Sequence, residues 1–269
     1  MELIIFFLFI FINMKNNNQF FFSYHGNKRN EVDEIIKNID FTDKDKIIET
    51  FCGTSAISFH IWLKYGDKFQ YYLNDNSKSL ISIYELFKNE DLDKIKDEIN
   101  NISAQIKNKD DWNNHFKTAE QTPYKELYYL KFSTFGRKGF YPLNRSKKRE
   151  IKLTKIQELF LKFIKEPYVF ISCSDWFNIF DKFKDDKKAI LIFDPPYINT
   201  HNDFYLEKSL NIYQYFYDNK IETFKSNIYL ILEDIWIIRL LFNNNKVLSV
   251  YNKEYGLSRK KTNHIIISN

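Results

Sequence analysis

Apolar residues along this chain gather in short runs separated by polar stretches, and the runs alternate between two periods. Ile47–Phe51 and Phe69–Leu73 are compact apolar runs of strand length. Each precedes apolar positions at helical spacing, over about Ser55–Lys64 and about Ser77–Lys88. From Asn89 to about Glu120 the chain stays helical in period but becomes polar and charged, with few large apolar residues. Leu127–Phe132 is again an apolar, strand-like run, leading into Thr134–Phe140, a loop whose two glycines, Gly136 and Gly139, permit tight turns. The alternation then resumes with a helix over about Leu153–Lys165, a strand at Tyr168–Ser172, a helix at Asp175–Phe183 and a strand at Ala189–Phe193. Strand and helical segments continue to the end as Ile228–Leu232, Ile235–Phe242, Val247–Tyr251 and His264–Ser268. Strands that alternate with helices predict an α/β fold with a mostly parallel, doubly wound sheet. The stretch from about 86 to 150 breaks that rhythm and reads as an insertion.

Composition narrows the picture modestly. At 269 residues the chain is long enough for one sizeable core and a smaller insertion. A net charge of +5 is compatible with a polyanionic partner, but Lys, Asn, Ile, Phe and Tyr share AT-rich codons, so the charge carries little weight. Two cysteines, Cys52 and Cys173, form no framework, and the five histidines show no metal-ligand spacing. An intracellular, reducing compartment and a soluble protein are expected. The apolar run Leu3–Ile12 is too short to span a bilayer, and Glu2 stands where a basic leader would. Residues 1–19 are therefore read as an extension, with Met14 as the expected start, and no stable membrane association is expected.

Four short segments carry candidate chemistry. The strand Ala189–Phe193 runs directly into Asp194-Pro195-Pro196-Tyr197. An exocyclic amine such as that of adenine is a poor nucleophile, because its lone pair is conjugated into the ring. Acceptors placed on its hydrogens free that lone pair, and Asp194 with the Pro195 carbonyl can supply two. Prolines fix φ and hold their predecessors extended, so such acceptors are pre-aimed. Tyr197 offers a flat face for an extruded base. A Pro-Pro turn closing a buried strand, with Asp and Tyr incidental, is the competing reading. Glu49-Thr-Phe-Cys-Gly-Thr-Ser-Ala-Ile-Ser58 is a strand turning at Gly53 into a helix, where N–H groups can point at a ligand; a plain βα turn explains it nearly as well. Leu73-Asn-Asp-Asn76 places Asp75 at the end of the next strand, suited to ribose hydroxyls or to capping the following helix. Ser23-Tyr-His-Gly-Asn-Lys-Arg29 pairs Gly26 with Lys28 and, alone, reads as a basic turn entering a helix.

In this order the segments resemble the Dam-like family of S-adenosylmethionine-dependent DNA adenine-N6 methyltransferases, over about Phe20 to Asn269. YHGNK is similar to the family's Y-x-G-x-K segment, ETFCGTSAIS to its F-x-G cofactor motif, LNDN to its acidic strand end and DPPY to its catalytic motif. Thr54 and Ser55 depart from a usually more glycine-rich loop, and Asn27 stands where a second glycine is common. The resemblance implies a Rossmann-like methyltransferase sheet with an inserted, largely helical target-recognition domain. The catalytic domain would comprise 20–85 and 151–269, and the insertion 86–150. It implies that Tyr24, Lys28, Phe51, Gly53 and Asp75 line the S-adenosylmethionine site, with Asp75 on the ribose. Asp175 and Trp176 would meet the cofactor adenine, although Asp175 also suits a helix N-cap. Asp194, Pro195, Pro196 and Tyr197 would hold a flipped adenine. For contact with duplex DNA the candidates are Arg137 and Lys138 in the Gly-bearing loop and Asn144, Arg145, Lys147 and Lys148 after it, as a cluster; a solvated basic loop is the competing reading of any single one. Such a methylase, expected as a monomer, either protects DNA from a cognate restriction endonuclease or marks it for regulation. Methylation of cytosine N4, of adenine in RNA or of a protein glutamine, and a methylase-like DNA-binding module without activity, are the rival readings.

Overall fold

The computed structural model describes residues 22, 24, 27–118, 120–133, 153–198, 210–254 and 261–269. These residues fall into two compact units, one built on Ser77–Ile171 with the chain before Lys28, the other on Lys28–Asn76 and Ser172–Asn269. The boundary passes through the third strand of the sheet.

The second unit carries the sheet. Its elements in chain order are α1 (Val32–Lys37), β1 (Lys46–Glu49), α2 (Ala56–Tyr65) and β2 (Gln70–Asp75). After the first unit come β3 (Val169–Cys173), α8 (Trp176–Phe183), β4 (Ala189–Phe193), α9 (Leu210–Asn219), β5 (Asn227–Glu233), α10 (Trp236–Leu241), β6 (Lys246–Glu254) and β7 (Lys261–Ser268). The seven strands lie in the order β3-β2-β1-β4-β5-β7-β6. β1 pairs in parallel with β2 and β4, and β4 with β5, whereas β7 runs antiparallel between β5 and β6. Strands buried on both faces should read as unbroken apolar runs, and β4, Ala-Ile-Leu-Ile-Phe, is buried at every position. The first three strands succeed one another outward, and the chain then crosses to the other side of β1. That reversal between β1 and β4 creates the crevice at which such sheets bind ligands, beyond the strand carboxyl ends.

One face of the sheet packs on α8 and α9. Ile48, Leu191, Phe193, Leu230, Ile265 and Ile267 meet Ile179, Phe180, Phe183, Ile212, Tyr213 and Phe216 in one buried cluster. Phe180 is central, with its ring edge-on to Phe193, Phe216 and Phe224. Removing such a side chain costs about 3–5 kcal/mol. The sequence did not separate α9 from its surroundings, although Ile212, Tyr213 and Phe216 are buried at helical spacing.

The first unit is helical: α3 (Lys78–Asn89), α4 (Leu92–Gln105), α5 (Lys109–Thr118), α6 (Pro123–Phe132) and α7 (Lys155–Lys165). α3 starts on Ser77, whose hydroxyl accepts the Leu80 N–H, and α7 on a reciprocal Thr154–Gln157 capping box. Tyr84, Phe87, Phe160 and Phe163 are buried in its core, and Trp112 stands edge-on to Tyr129 at 4.7 Å. Here one expectation fails: Leu127–Phe132 is the end of helix α6, not a strand. Thr122 accepts the Lys125 N–H and Pro123 occupies the first turn, a start signal that outweighs the β-propensity of Tyr and Phe. A six-residue apolar run cannot by itself separate strand from buried helix. The loop 134–140 lies outside the described residues.

Candidate active site

The carboxyl ends of the strands are tied together by Asn74, which is fully buried in β2. Its amide donates to the carbonyls of Thr50 and Ser174 at 3.1 and 3.0 Å. Its oxygen accepts from the hydroxyls of Ser172 and Ser174 at 2.8 and 2.9 Å. One side chain thereby holds the ends of β1, β2 and β3 at a common level. Beside it the chain leaves β1 through a tight turn in which Gly53 and Ser55 are both left-handed, with φ of +48° and +53°. Glycine meets no Cβ penalty there; Ser55 does, at about 1 kcal/mol.

The turn's donors are largely engaged within the chain. The Gly53 N–H donates to Asp75 Oδ2 at 3.1 Å, and the Cys52 N–H to the Asn74 carbonyl at 2.8 Å. Ser58, in the first turn of α2, donates its N–H to Glu49 Oε2 at 3.1 Å. The sequence suggested that the N–H groups at this helix start point at a ligand, but Glu49 caps part of it instead. Glu49 is buried, and burial pushes its pKa up to about 7, against the opposing bonds from Ser58 and with help from the nearby Asp194 charge.

Asp194 follows β4 directly and is partly exposed. Lys28, only 4% exposed, places its ammonium 2.6 Å from Asp194 Oδ2, and the Tyr197 hydroxyl donates to Oδ1 at 3.1 Å. A carboxylate has about four lone-pair sites, so these two partners fix its plane while leaving acceptor capacity. Pro195 is buried, and the Pro196 carbonyl accepts from the Tyr213 hydroxyl of α9 at 3.2 Å. Pro196 is thus tied to the helix. The Tyr197 ring is 5% exposed, with Lys28 5.2 Å from its centroid and His264 edge-on at 4.9 Å. The stacking face expected of Tyr197 is covered in this arrangement.

Behind Tyr197 lies a charge cluster that the sequence did not reveal. Glu31, at the start of α1, accepts from His264 Nδ1 at 2.7 Å and from the Tyr251 hydroxyl at 3.0 Å, and pairs with Lys253. Its N–H also donates to the Lys28 carbonyl at 2.9 Å, closing a turn that carries both residues. Burial alone would raise the Glu31 pKa. Lys28, the His264 hydrogen bond and Lys253 overcome it and hold the carboxyl down to about 2. Lys253 is pulled down by its burial and by Lys28, and Tyr251 is pushed up by burial and by Glu31.

The structure brings Lys28, Gly53, Asp75, Asp194, Pro195, Pro196 and Tyr197 into one unit, with Phe51 6.5 Å from Phe193. Asp175 is the N-cap of α8, accepting the Phe177 N–H at 2.8 Å. Trp176 is half-buried among Phe177, Phe180, Phe193, Tyr215 and Phe216. Tyr24 belongs to the other unit, and Gly26 lies outside the described residues, as does the whole expected DNA-contact set of Arg137, Lys138, Asn144, Arg145, Lys147 and Lys148. The extension 1–19 is likewise outside. Among the described residues no helix is long and apolar enough to cross a membrane.

A family model described as D12 class N6 adenine-specific DNA methyltransferase matches residues 24–263 of the chain. No curated protein matches it.

Proposed function

Because the chain belongs to the D12 class of N6 adenine-specific DNA methyltransferases, we propose that it transfers a methyl group from S-adenosylmethionine to an adenine flipped out of duplex DNA. The observation that carries the finer reading is the setting of Asp194. A carboxylate at the end of the central strand is oriented by Lys28 and Tyr197 beside the ends of β1 and β2, in the crevice where the strand order reverses.

The residues fit a bound methyl donor. Gly53 and Ser55 make a close turn without bulky side chains, and Asp75 ends the neighbouring strand with its carboxylate against that turn. Asp75 would hold a ribose, and Phe51 with Gly53 the methionine end. Trp176 and Asp175 are weaker candidates, since the first is packed in the core cluster and the second caps α8. When bound, the cofactor supplies an electrophilic methyl group on a sulfonium. The chain's own contribution is alignment and charge placement. Asp194 and the Pro195 carbonyl accept from the target amine and direct its lone pair, and no covalent bond to the protein is required. With its ring covered in this arrangement, Tyr197 contributes through its hydroxyl, which donates to Asp194.

Residues 86–150 are proposed as the target-recognition segment, with Arg137, Lys138, Asn144, Arg145, Lys147 and Lys148 on the DNA. The test is methyl transfer to unmethylated duplex DNA, read as nucleosides by mass, with Asp194→Ala alongside. N6-methyladenine from the wild type and none from the variant supports the reading. N4-methylcytosine, or product on RNA alone, refutes it.

A further inference from the structure

Glu31 lies outside the residues that would touch substrate or cofactor, yet its carboxylate is linked to Tyr197 through an imidazole. His264, on β7, is fully buried, and its Nδ1 faces two oxygens: Glu31 Oε2 at 2.7 Å and the Tyr197 hydroxyl at 3.5 Å. Tyr197 in turn is 3.1 Å from Asp194 Oδ1. A carboxylate can only accept. Glu31 is held ionised by Lys28, His264 and Lys253, so the imidazole nitrogen beside it must carry a proton, whatever the net charge of the ring. With that nitrogen a donor, it offers the Tyr197 hydroxyl no acceptor. The hydroxyl donates to Asp194 Oδ1 instead.

We propose that Glu31 is a positioning residue for methyl transfer: its carboxylate fixes a proton on Nδ1 of His264 and so commits the Tyr197 hydroxyl to Asp194. The assignment rests on the adenine-methylation reading above. Were Nδ1 unprotonated, it would compete with Asp194 for the same hydroxyl proton. Asp194 would then keep its contact with Lys28 and lose the second one that sets its plane. Tyr251 and Lys253, on β6, hold Glu31 from the far side, so the C-terminal hairpin β6–β7 helps to orient the catalytic segment after β4.

Histidine labelled with nitrogen-15 in the full chain, with the His264 signal assigned by its loss in His264→Gln, reads the protonation of each ring nitrogen directly. A protonated Nδ1 in the wild type at neutral pH is expected. In Glu31→Gln the amide can donate to Nδ1, so the proton moves to Nε2. There kcat on duplex DNA falls on the order of tenfold, while the S-adenosylmethionine Kd by calorimetry stays within about twofold. Glu31→Gln added to Tyr197→Phe lowers kcat no further, because both act through the same bond. An unprotonated Nδ1 in the wild type overturns the inference and needs no variant to fold. So does a tautomer change in Glu31→Gln with kcat unchanged. Methyl transfer absent from the wild type itself would instead defeat the parent reading, and the catalytic role of Glu31 with it.

Discussion

Replacing Glu49 by Gln isolates the least comfortable carboxyl in the sheet unit. The side chain is 3% exposed and its pKa stands at about 7 against an ordinary 4.5. Burial is the largest cause, because the charged form loses its hydration; the Ser58 bonds offset part of that, and the Asp194 charge adds to it. Between those two values the native chain keeps a proton that the unfolded chain has released. Stability therefore falls as pH rises from 4.5 towards 7, and the full penalty is present above that window. At about 1.4 kcal/mol per unit, the displacement corresponds to roughly 3 kcal/mol. Gln keeps the shape and an acceptor for the Ser58 N–H without ionising. Urea unfolding of wild type and Glu49→Gln should agree closely at pH 4.5 and diverge to roughly 3 kcal/mol in favour of the variant by pH 8. With a chain of this length that is about 6 °C in Tm. A difference that stays constant from pH 4.5 to 8 would refute the reasoning, since it would mean that Glu49 titrates alike folded and unfolded.

Two further outcomes test the framework around the site and the helical unit. Asn74→Ala strips partners from the Thr50 and Ser174 carbonyls and from two serine hydroxyls, and should destabilise the chain by about 3 kcal/mol in urea unfolding; a loss under about 1 kcal/mol would mean that the strand ends do not depend on it. Thr122→Ala removes the cap of α6 and should cost about 1 kcal/mol by the same assay, whereas Thr122→Ser should cost far less.

What the sequence disclosed and what it withheld follow the range over which each feature is encoded. The strand ending in Asp194 was legible because its pattern is local: five buried apolar residues, then two prolines. The turn at Gly53 and the acidic end of β2 were legible for the same reason. The run Leu127–Phe132 was misread because its start signal, Thr122-Pro123, lies outside the run itself. The charge network was invisible for a deeper reason. Glu31 and His264 are 233 positions apart, and only the antiparallel insertion of β7 beside β5 brings them together.

That long-range placement also sorts two glutamates which a sequence cannot tell apart. Glu31 is buried with two lysines and an imidazole around it, and it stays ionised down to about pH 2. Glu49 is buried with backbone amides and the Asp194 carboxylate for company, and it holds its proton up to about pH 7. At pH 6 the first is an anion and the second an acid. Environments that drive like groups apart in this way separate their roles. The ionised one can order donors around it, and through His264 and Tyr197 that order reaches Asp194. The protonated one spares Asp194 a second negative charge beside it. Asp194→Asn would remove one cause of the Glu49 shift, so the pH window of the Glu49 penalty should move towards 4.5 in that variant. The charge on Asp194 therefore reaches the cap of α2, where it helps to hold the Glu49 proton.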